Sequence, residues 1–264
     1  MAKDMEKLTS PVVSVIMPAY NEERFVEEAI RSVIQQTFTD WELLVLDDCS
    51  QDSTCAIVQR IAAEDSRIRL INNEQNMGVA QTRNRGLELC AGQFVALLDS
   101  DDVWYPEKLS CQLKLAQETG ADVVYCSYGM IDEHDEKICQ DFIVPATTDY
   151  KDSLIKSVIS CSTALLSRSV VDRYRFASGF YHEDLALWLQ ILRDGYTACG
   201  ATEVLADYRV IEGTRASNKV RNAVNRWRVY RDYLKLPVLK STVLLFQYAL
   251  LGLKKYRRSG RMAG

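Results

Sequence analysis

The chain has 264 residues, of which 47% are hydrophobic and 26% charged, with 12 glycines and 5 prolines. This composition excludes a disordered, collagen-like or low-complexity protein. The net charge of −4 hides an asymmetry: residues 1–213 carry 19 basic and 35 acidic side chains, whereas residues 214–264 carry 13 basic side chains and one acid, Asp232. We therefore divide the chain into a main domain, residues 1–213, and a basic C-terminal extension, residues 214–264.

The cysteines and the N-terminal region favour a cytoplasmic protein. The eight cysteines are never closer than six residues apart, so the chain has no C-x-x-C pair for zinc or redox chemistry. The first 30 residues lack the basic and then apolar pattern of a secretory signal, because acids such as Asp4, Glu6, Glu22 and Glu23 interrupt it. Free thiols without an export signal fit a reducing cytosol.

Strand-like and helix-like patterns alternate along the first half of the chain. Short apolar runs predict strands at residues 12–17, 41–46, 68–71, 94–98 and 123–126. Apolar residues at helical spacing predict helices at residues 22–36, 52–63 and 79–89. Pro106 and Gly120 stand where a further helix would begin and end. This alternation predicts an α/β fold with a mostly parallel sheet flanked by helices.

The second half of the chain is less regular. An acidic segment within residues 131–138 predicts a hairpin tip, residues 185–192 predict a helix, and residues 204–210 predict a strand. A polar loop at residues 213–219 leads into two basic helices, at about 218–235 and 238–256, which Pro237 separates.

Polar side chains follow three of the predicted strands. These segments are residues 18–21, 47–50 and 99–102, and the last two are rich in aspartate. Ligands of parallel sheets bind outside the carboxyl ends of the strands, so we expect the three segments to border one crevice. Solvated acidic turns are the alternative.

The second acidic segment has the pattern of a cation site. Asp99, Asp101 and Asp102 place three carboxylates within four positions, and packed carboxylates repel one another unless protons or a cation neutralise them. Mg²⁺ and Mn²⁺ prefer oxygen ligands and leave coordination positions for phosphate oxygens. A D-x-D pair at a strand end therefore indicates a divalent ion that bridges to a diphosphate.

Five motifs together resemble the family 2 glycosyltransferases of GT-A fold. They are VSVIMPAYNE at 13–22, VLDDCSQDST at 45–54, NMGVAQTRNRG at 76–86, LDSDD at 98–102 and the Glu183-Asp184 pair. Their order and spacing match across roughly residues 12–210. The resemblance implies a GT-A (Rossmann-like) domain, with the basic helices as a C-terminal helical extension.

The resemblance also implies which residues hold the donor nucleotide: Pro18, Ala19, Tyr20, Glu22, Asp47, Arg83, Asp99 and Asp101. By this resemblance, Glu22 reaches a ribose hydroxyl, Asp47 accepts a hydrogen bond from the uracil ring, and Arg83 lies near the base or the diphosphate. Asp101 would ligate Mn²⁺ or Mg²⁺ directly, and Asp99 would contact the ribose or a metal-bound water. The alternatives are a partly buried tyrosine for Tyr20 and a surface ion pair for Arg83.

The Glu183-Asp184 pair corresponds to the acceptor side of the family's site. The resemblance implies that Asp184 is the general base, because inverting transfer needs one carboxylate to remove the acceptor proton. Glu183, His182 and Trp188 would lie on the acceptor side, and Trp188 could instead pack in the core. The alternative for the two acids is a favourable interaction with the helix dipole.

The sequence departs from the family pattern after the Tyr208-Arg209 pair. Many relatives carry a histidine there, near the nucleotide phosphates, whereas this chain has Ile211. A third protein ligand for the metal is therefore in doubt. Arg215 or Lys219, in a loop that closes over the donor, could contact the diphosphate instead.

The C-terminal extension indicates contact with a membrane surface. Its uncharged stretch, residues 241–253, is 13 residues long, whereas a spanning helix needs about 20. A basic cluster follows at residues 254–258, as in interfacial helices that bind anionic lipid. A helical hairpin packed on the main domain or at a dimer interface is the alternative. Nucleic acid fits less well, because the main domain is acidic.

We therefore expect an inverting, metal-dependent glycosyltransferase. It would move a hexose or N-acetylhexosamine from a UDP-sugar to a lipid-linked glycan in surface polysaccharide assembly, at the cytoplasmic face of the inner membrane. One alternative is a non-catalytic module that binds sugar nucleotides or lipid. A sugar nucleotidyltransferase is a weaker alternative, because residues 18–24 lack a glycine-rich basic loop.

Overall fold

The computed structural model describes residues 10–211 and 219–259. In these residues nine strands form one sheet: β1 (Val13–Ala19), β2 (Trp41–Asp47), β3 (Ile68–Asn72), β4 (Phe94–Leu97), β5 (Val103–Trp104), β6 (Val123–Ile131), β7 (Thr147–Thr148), β8 (Leu165–Ser167) and β9 (Ala198–Arg209). The α-helices are α1 (Val26–Ile34), α2 (Thr54–Ala62), α3 (Val79–Leu89), α4 (Lys108–Thr119), α5 (Tyr150–Ile155), α6 (Arg168–Val171), α7 (Glu183–Arg193), α8 (Lys219–Arg228) and α9 (Val238–Ser259).

The sheet is mixed and mostly parallel, which confirms the predicted fold class. Its strand order is β3-β2-β1-β4-β8-β6-β9-β5, and β7 also pairs with β9. The long pairings β1–β2, β1–β4, β2–β3 and β6–β9 are parallel. The antiparallel pairings all involve β5, β7 or β8. These strands have two or three residues, too few for a periodic pattern, and the sequence did not predict them.

Both faces of the sheet are covered, which explains why its strands are nearly continuous apolar runs. Val13, Val15 and Met17 pack on one side with residues of α1, α2 and α4. Ile16 lies on the other side with residues of α3 and α7. The twofold alternation of side chains along β1 thus divides its apolar residues between two cores.

The first helix begins four residues later than the sequence predicts. The backbone N–H groups of residues 21–23 donate instead to side chains of the turn after β2 and of the first residue of α2. Examples are the bonds from Glu22 to Thr54 at 2.8 Å and from Glu23 to Asp52 at 3.0 Å. These bonds hold the segment after β1 as a loop, and α1 starts at Val26. The predicted end of α4 is confirmed, because Gly120 caps it in the left-handed conformation at φ 67°.

The C-terminal extension packs on the main domain through one apolar cluster. A π-helical turn, Val229–Tyr233, joins α8 to the segment before α9. Val229, Tyr230 and Leu244 bury their side chains against Leu154 of α5 and Leu189 of α7. This packing agrees with the helical-hairpin alternative for these residues. The predicted boundary between residues 213 and 214 falls outside the described residues.

Candidate active site

A cleft of about 600 Å³ opens at the carboxyl ends of β2, β1 and β4, a volume in the usual range for a ligand site. It extends from the end of β1 past the start of α3 to the first turn of α7 and to α8. The predicted site residues that line it are Pro18, Ala19, Tyr20, Glu22, Arg83, Asp99, Asp101, His182, Glu183 and Asp184. The structure therefore brings together residues that are up to 166 positions apart in the sequence.

Asp48 lines the cleft and the predicted Asp47 does not. Asp47 is 3% exposed and accepts a hydrogen bond from the Ser50 backbone at 3.0 Å. It is absent from the cleft lining, which includes Asp48, itself 4% exposed, and Tyr20, which is 47% exposed. The two aspartates are adjacent in sequence, and only the turn after β2 decides which of them faces the cleft.

Asp48 shapes the turn that leads into α3. Its carboxylate accepts hydrogen bonds from the backbone N–H groups of Met77 and Gly78, both at 2.8 Å, and from the Asn73 amide at 2.7 Å. The Asn76 amide donates to the Asp48 carbonyl at 3.0 Å. Gly78 has φ 79°, a conformation that favours glycine. The motif at residues 76–86 thus has a structural role beside any contact with a ligand.

Carboxylates crowd the middle of the cleft. Burial and then the neighbouring Asp99 raise the pKa of Asp101 to about 6. Burial, Asp101, Asp52 and Asp99 raise the pKa of Glu22 to about 7. Both groups gain protons more readily than free carboxylates because like charges lie close together in a partly dry space. A divalent cation would relieve this repulsion, so the residues fit such an ion.

The protein side chains do not by themselves form a complete set of ligands for a divalent ion. Over residues 10–211 and 219–259, no group of three or more histidine, cysteine or acidic side chains is arranged to hold a metal. Mg²⁺ is commonly held by one or two carboxylates together with substrate phosphates. Asp101 and Asp99 supply that number of carboxylates.

Arg83 connects the two acidic ends of the site. Its side chain is 5% exposed, with Nη2 at 2.5 Å from Asp99 Oδ1 and Nη1 at 2.8 Å from Glu183 Oε1. Arg83 was predicted to lie near the base or diphosphate of the donor, with a surface ion pair as the alternative. The structure shows a buried bridge between the D-x-D segment and the start of α7.

Asp102 and Arg209 hold the D-x-D segment in place through hydrogen bonds. The carboxylate of Asp102 accepts the backbone N–H of Arg209 at 2.8 Å, and Arg209 Nε donates to the Asp101 carbonyl at 2.8 Å. Arg209 also donates to Glu28 of α1 at 2.7 Å. Asp102 is 1% exposed and does not line the cleft, in contrast to Asp99 and Asp101, so its role here is to hold the segment. A charged side chain in a buried strand was the one sequence signal for this role of Arg209.

Asp184 stands at the first turn of α7, on the cleft. Its Oδ1 accepts the backbone N–H of Leu185 at 2.7 Å, and it is partly exposed. Burial is the main cause that raises the pKa of Asp184 above the ordinary value, and the hydrogen bond from Leu185 and then the charge of Arg83 oppose it. A carboxylate whose pKa moves toward neutral pH is a stronger proton acceptor when ionised. Asp184 therefore has the chemistry that a general base requires.

The three predicted acceptor-side residues have different positions. His182 and Glu183 line the cleft, whereas Trp188 is 2% exposed and packs in the main core. The core alternative for Trp188 therefore applies, and its acceptor-side prediction is wrong. Burial lowers the pKa of His182, and a hydrogen bond to the backbone of Asn222 opposes the shift.

Sequence reasoning missed three residues at this end: Tyr181, Asn222 and Ser160 also line the cleft. None of them belongs to a recognisable motif, and their positions depend on contacts between distant segments. The sequence pointed to Arg215 and Lys219 instead. Arg215 lies outside the described residues, and Lys219 is described only as the first residue of α8.

Comparison with known proteins identifies relatives over most of the chain. The family model described as "Glycosyl transferase family 2" matches residues 14–175. The "Putative teichuronic acid biosynthesis glycosyltransferase TuaG" of Bacillus subtilis is 36% identical over 93% of this chain and 97% of its own length. The "UDP-Glc:alpha-D-GlcNAc-diphosphoundecaprenol beta-1,3-glucosyltransferase WfgD" of Escherichia coli is also 36% identical, over 93% of this chain and 95% of its own.

A solved structure supports the fold. Residues 1–349 of TarS from S. aureus, in complex with UDP-GlcNAc, superpose with a TM-score of 0.71 at 20% identity. The alignment covers 90% of this chain and 71% of the TarS chain. The GT-A architecture predicted from the motifs is thus confirmed as a fold.

Proposed function

This chain belongs to glycosyl transferase family 2 and is a glycosyltransferase, and on that premise we propose that it transfers a sugar from a UDP-sugar to a lipid-linked glycan with inversion. The observation that carries the proposal is that Asp101 and Asp184 line one cleft. In this assignment Asp101 lies at the diphosphate of the donor, and Asp184 lies at the acceptor. The sugar that is transferred would occupy the space between the two.

The donor half of the proposal uses the residues after β1, β2 and β4. The flat ring of Tyr20 offers a surface for the nucleobase. Asp48 replaces Asp47 as the carboxylate that would accept the ring N–H, because Asp48 lines the cleft. Glu22 is available to a ribose hydroxyl. Asp101 and Asp99 would hold Mn²⁺ or Mg²⁺, which when bound neutralises charge on the diphosphate as the sugar–phosphate bond breaks.

The acceptor half depends on Asp184. Its carboxylate removes the proton of the acceptor hydroxyl while that oxygen attacks the anomeric carbon from the face opposite the diphosphate. One base on one side of the sugar is what a single displacement with inversion requires. Glu183 takes no proton in this scheme, because it is held by Arg83.

The names of the relatives guide the choice of substrates. The E. coli relative is named for UDP-Glc and for an acceptor attached to diphosphoundecaprenol, and the B. subtilis relative for teichuronic acid biosynthesis. By analogy we assign this chain a hexose or N-acetylhexosamine donor and an acceptor attached to a lipid diphosphate. We accordingly assign the protein to surface polysaccharide assembly, at the cytoplasmic face of the membrane.

Binding of UDP with a divalent ion tests this proposal. We expect UDP with Mn²⁺ at about 100 times the Kd to stabilise the folded protein by about 2.7 kcal/mol, which raises Tm by several degrees for a chain of this size. Thermal unfolding with UDP, GDP, CDP or dTDP, each with and without Mn²⁺, measures the effect. The increase should disappear in Asp101→Ala and persist in Asp152→Ala, a control at a 58% exposed aspartate of α5.

Three other results of the thermal-unfolding experiment would contradict parts of the proposal. Preference for another nucleotide would keep the transferase and overturn the UDP assignment. An equal increase without Mn²⁺ would contradict the metal site. The absence of any increase in a folded sample would favour a non-catalytic module.

Contact with a membrane surface is part of the same proposal. In the described residues no helix has both the length and the hydrophobicity that crossing a bilayer requires. One face of α9 nevertheless exposes large apolar side chains at helical spacing: Leu239, Val243, Phe246 and Leu250. The opposite face is buried through Ser241 and Leu244. An exposed apolar stripe on a basic segment fits the headgroup region of an anionic bilayer.

Vesicle binding tests this contact. We expect Phe246→Glu to weaken sedimentation with vesicles of phosphatidylglycerol and phosphatidylcholine by about tenfold or more, because burial of a phenylalanine ring contributes about 1.5–3 kcal/mol. Gln247→Glu, at the next and exposed position, adds the same charge and should have a much smaller effect. Equal binding by both variants would contradict the contact. Dissociation of a dimer by Phe246→Glu would indicate a second copy of the chain instead.

A further inference from the structure

We propose that the C-terminal extension forms part of the active site and that Asn222 of α8 binds hydroxyl groups of the acceptor sugar. The inference rests on the proposed function and deepens it. It makes the extension a determinant of acceptor specificity as well as a candidate membrane contact.

The position of Asn222 carries the inference. Asn222 lines the cleft together with Tyr181, His182 and Asp184. Tyr20 follows β1, whereas Asn222 adjoins His182, which lies two positions before the proposed base Asp184. A group beside the base is where the acceptor must lie when its hydroxyl gives up a proton.

Buried contacts fix this part of α8. Arg226 lies one turn after Asn222 and is 2% exposed. Its guanidinium donates to the carbonyls of Ser153 at 3.1 Å and Leu154 at 3.0 Å, and to the Ser157 hydroxyl at 2.9 Å. These bonds tie α8 to α5 and to the segment that follows it, so the position of Asn222 does not depend on a surface contact.

A second connection joins α8 directly to the start of α7. His182 precedes Glu183 and Asp184, and the backbone of Asn222 lies near its side chain. Val229 and Tyr230, in the π-helical turn that continues α8, are buried in one cluster with Leu185 and Leu189 of α7. The proposed base and Asn222 are therefore parts of one rigid arrangement.

The chemistry of Asn222 suits a sugar. A carboxamide has two N–H donors and a carbonyl acceptor, and a sugar hydroxyl both donates and accepts. Because the amide is neutral, it adds no negative charge beside Glu183 and Asp184. Tyr181, also in the lining, has an aromatic ring that can pack against a pyranose face. This end of the cleft therefore fits the saccharide of the acceptor rather than a phosphate.

The test compares Asn222→Ala with Val224→Ala. Val224 lies on the same helix and is 54% exposed, so its truncation controls for general effects on α8. The probe is α-D-GlcNAc attached to a short-chain polyprenyl diphosphate, titrated into the full-length protein with UDP and Mn²⁺. We expect Asn222→Ala to weaken binding of the probe about tenfold, as for the loss of one or two hydrogen bonds. Binding of UDP should be unchanged, and Val224→Ala should match wild type.

Other results of this titration would overturn either the inference about Asn222 or the proposed function. Equal affinity of Asn222→Ala and wild type for the probe would overturn the inference, as would a parallel loss of UDP binding, which indicates a merely structural role. If Asn222→Ala fails to fold, Asn222→Ser provides the same comparison. Wild-type protein that binds UDP but not the probe would overturn the lipid diphosphate-linked acceptor. Wild-type protein that binds neither would overturn the proposed function itself.

Discussion

Asp184→Asn is expected to lower kcat by about 10²- to 10⁴-fold, the range for loss of a positioned general base. The amide has nearly the same shape as the carboxylate and still accepts the Leu185 N–H, so the fold and the binding of UDP should be preserved. Initial rates with saturating donor and acceptor measure the effect. The increase in Tm on addition of UDP and Mn²⁺ provides an independent check on donor binding.

The pH dependence of the wild-type enzyme gives a second view of the same group. A base must be ionised, so kcat should fall as the pH drops through the pKa of Asp184. Burial raises that pKa, and we therefore expect the acidic limb of the profile above the ordinary value for an aspartate. Asp172→Asn, on a 65% exposed side chain, is the matched control and should retain both rate and profile. A residual rate within a few-fold of wild type for Asp184→Asn would require another base.

Replacement of Arg83 is expected to have the largest effect on stability. Arg83→Met removes the cation between Asp99 and Glu183 and leaves two carboxylates without their partner in a largely buried site. Breaking a buried ion pair from one side costs about 3–5 kcal/mol. We expect a decrease of that order in the free energy of unfolding, measured by urea denaturation, together with loss of transfer.

A surface pair and a double variant separate the causes of this effect. Arg31→Met breaks an ion pair with Glu27 at 2.8 Å in which Arg31 is 44% exposed, and exposed pairs contribute about 1 kcal/mol or less. Arg83→Met combined with Glu183→Gln should recover part of the lost stability, because it removes one of the unpaired charges. Transfer should not recover, since Asp99 still lacks its partner. A small effect of Arg83→Met, similar to that of Arg31→Met, would show that the bridge is unimportant.

The bridge also gives a physical reason for the association of the D-x-D and Glu-Asp motifs. Asp99 and Glu183 are far apart in the chain, and Arg83 contacts both from a third motif. A rigid guanidinium with two forked donors sets the distance between the carboxylates that it holds. Under the proposed function, Arg83 positions the donor-binding segment relative to the base.

Several features of the protein were predictable from the sequence alone. The strand and helix periodicities of the first half are local properties, and they predicted β1 to β4, α3 and the end of α4 at Gly120. The convergence of the strand ends also followed, because the carboxyl ends of parallel strands lie at one edge of a sheet. The family followed from the joint order of the five motifs, and comparison with known proteins confirmed it.

Other features were decided only by the tertiary structure. The sequence could not separate Asp47 from Asp48, because a turn's φ and ψ values select which neighbour faces the cleft. It could not assign Trp188 to the core, since an aromatic residue on a helix suits both a core and a ligand site. The partner of Arg83 in α7 lies 100 residues away, and Asn222 lines the cleft from a helix that Arg226 anchors to α5. Short-range patterns determine elements, whereas the contents of the site depend on packing between elements that the local sequence does not encode.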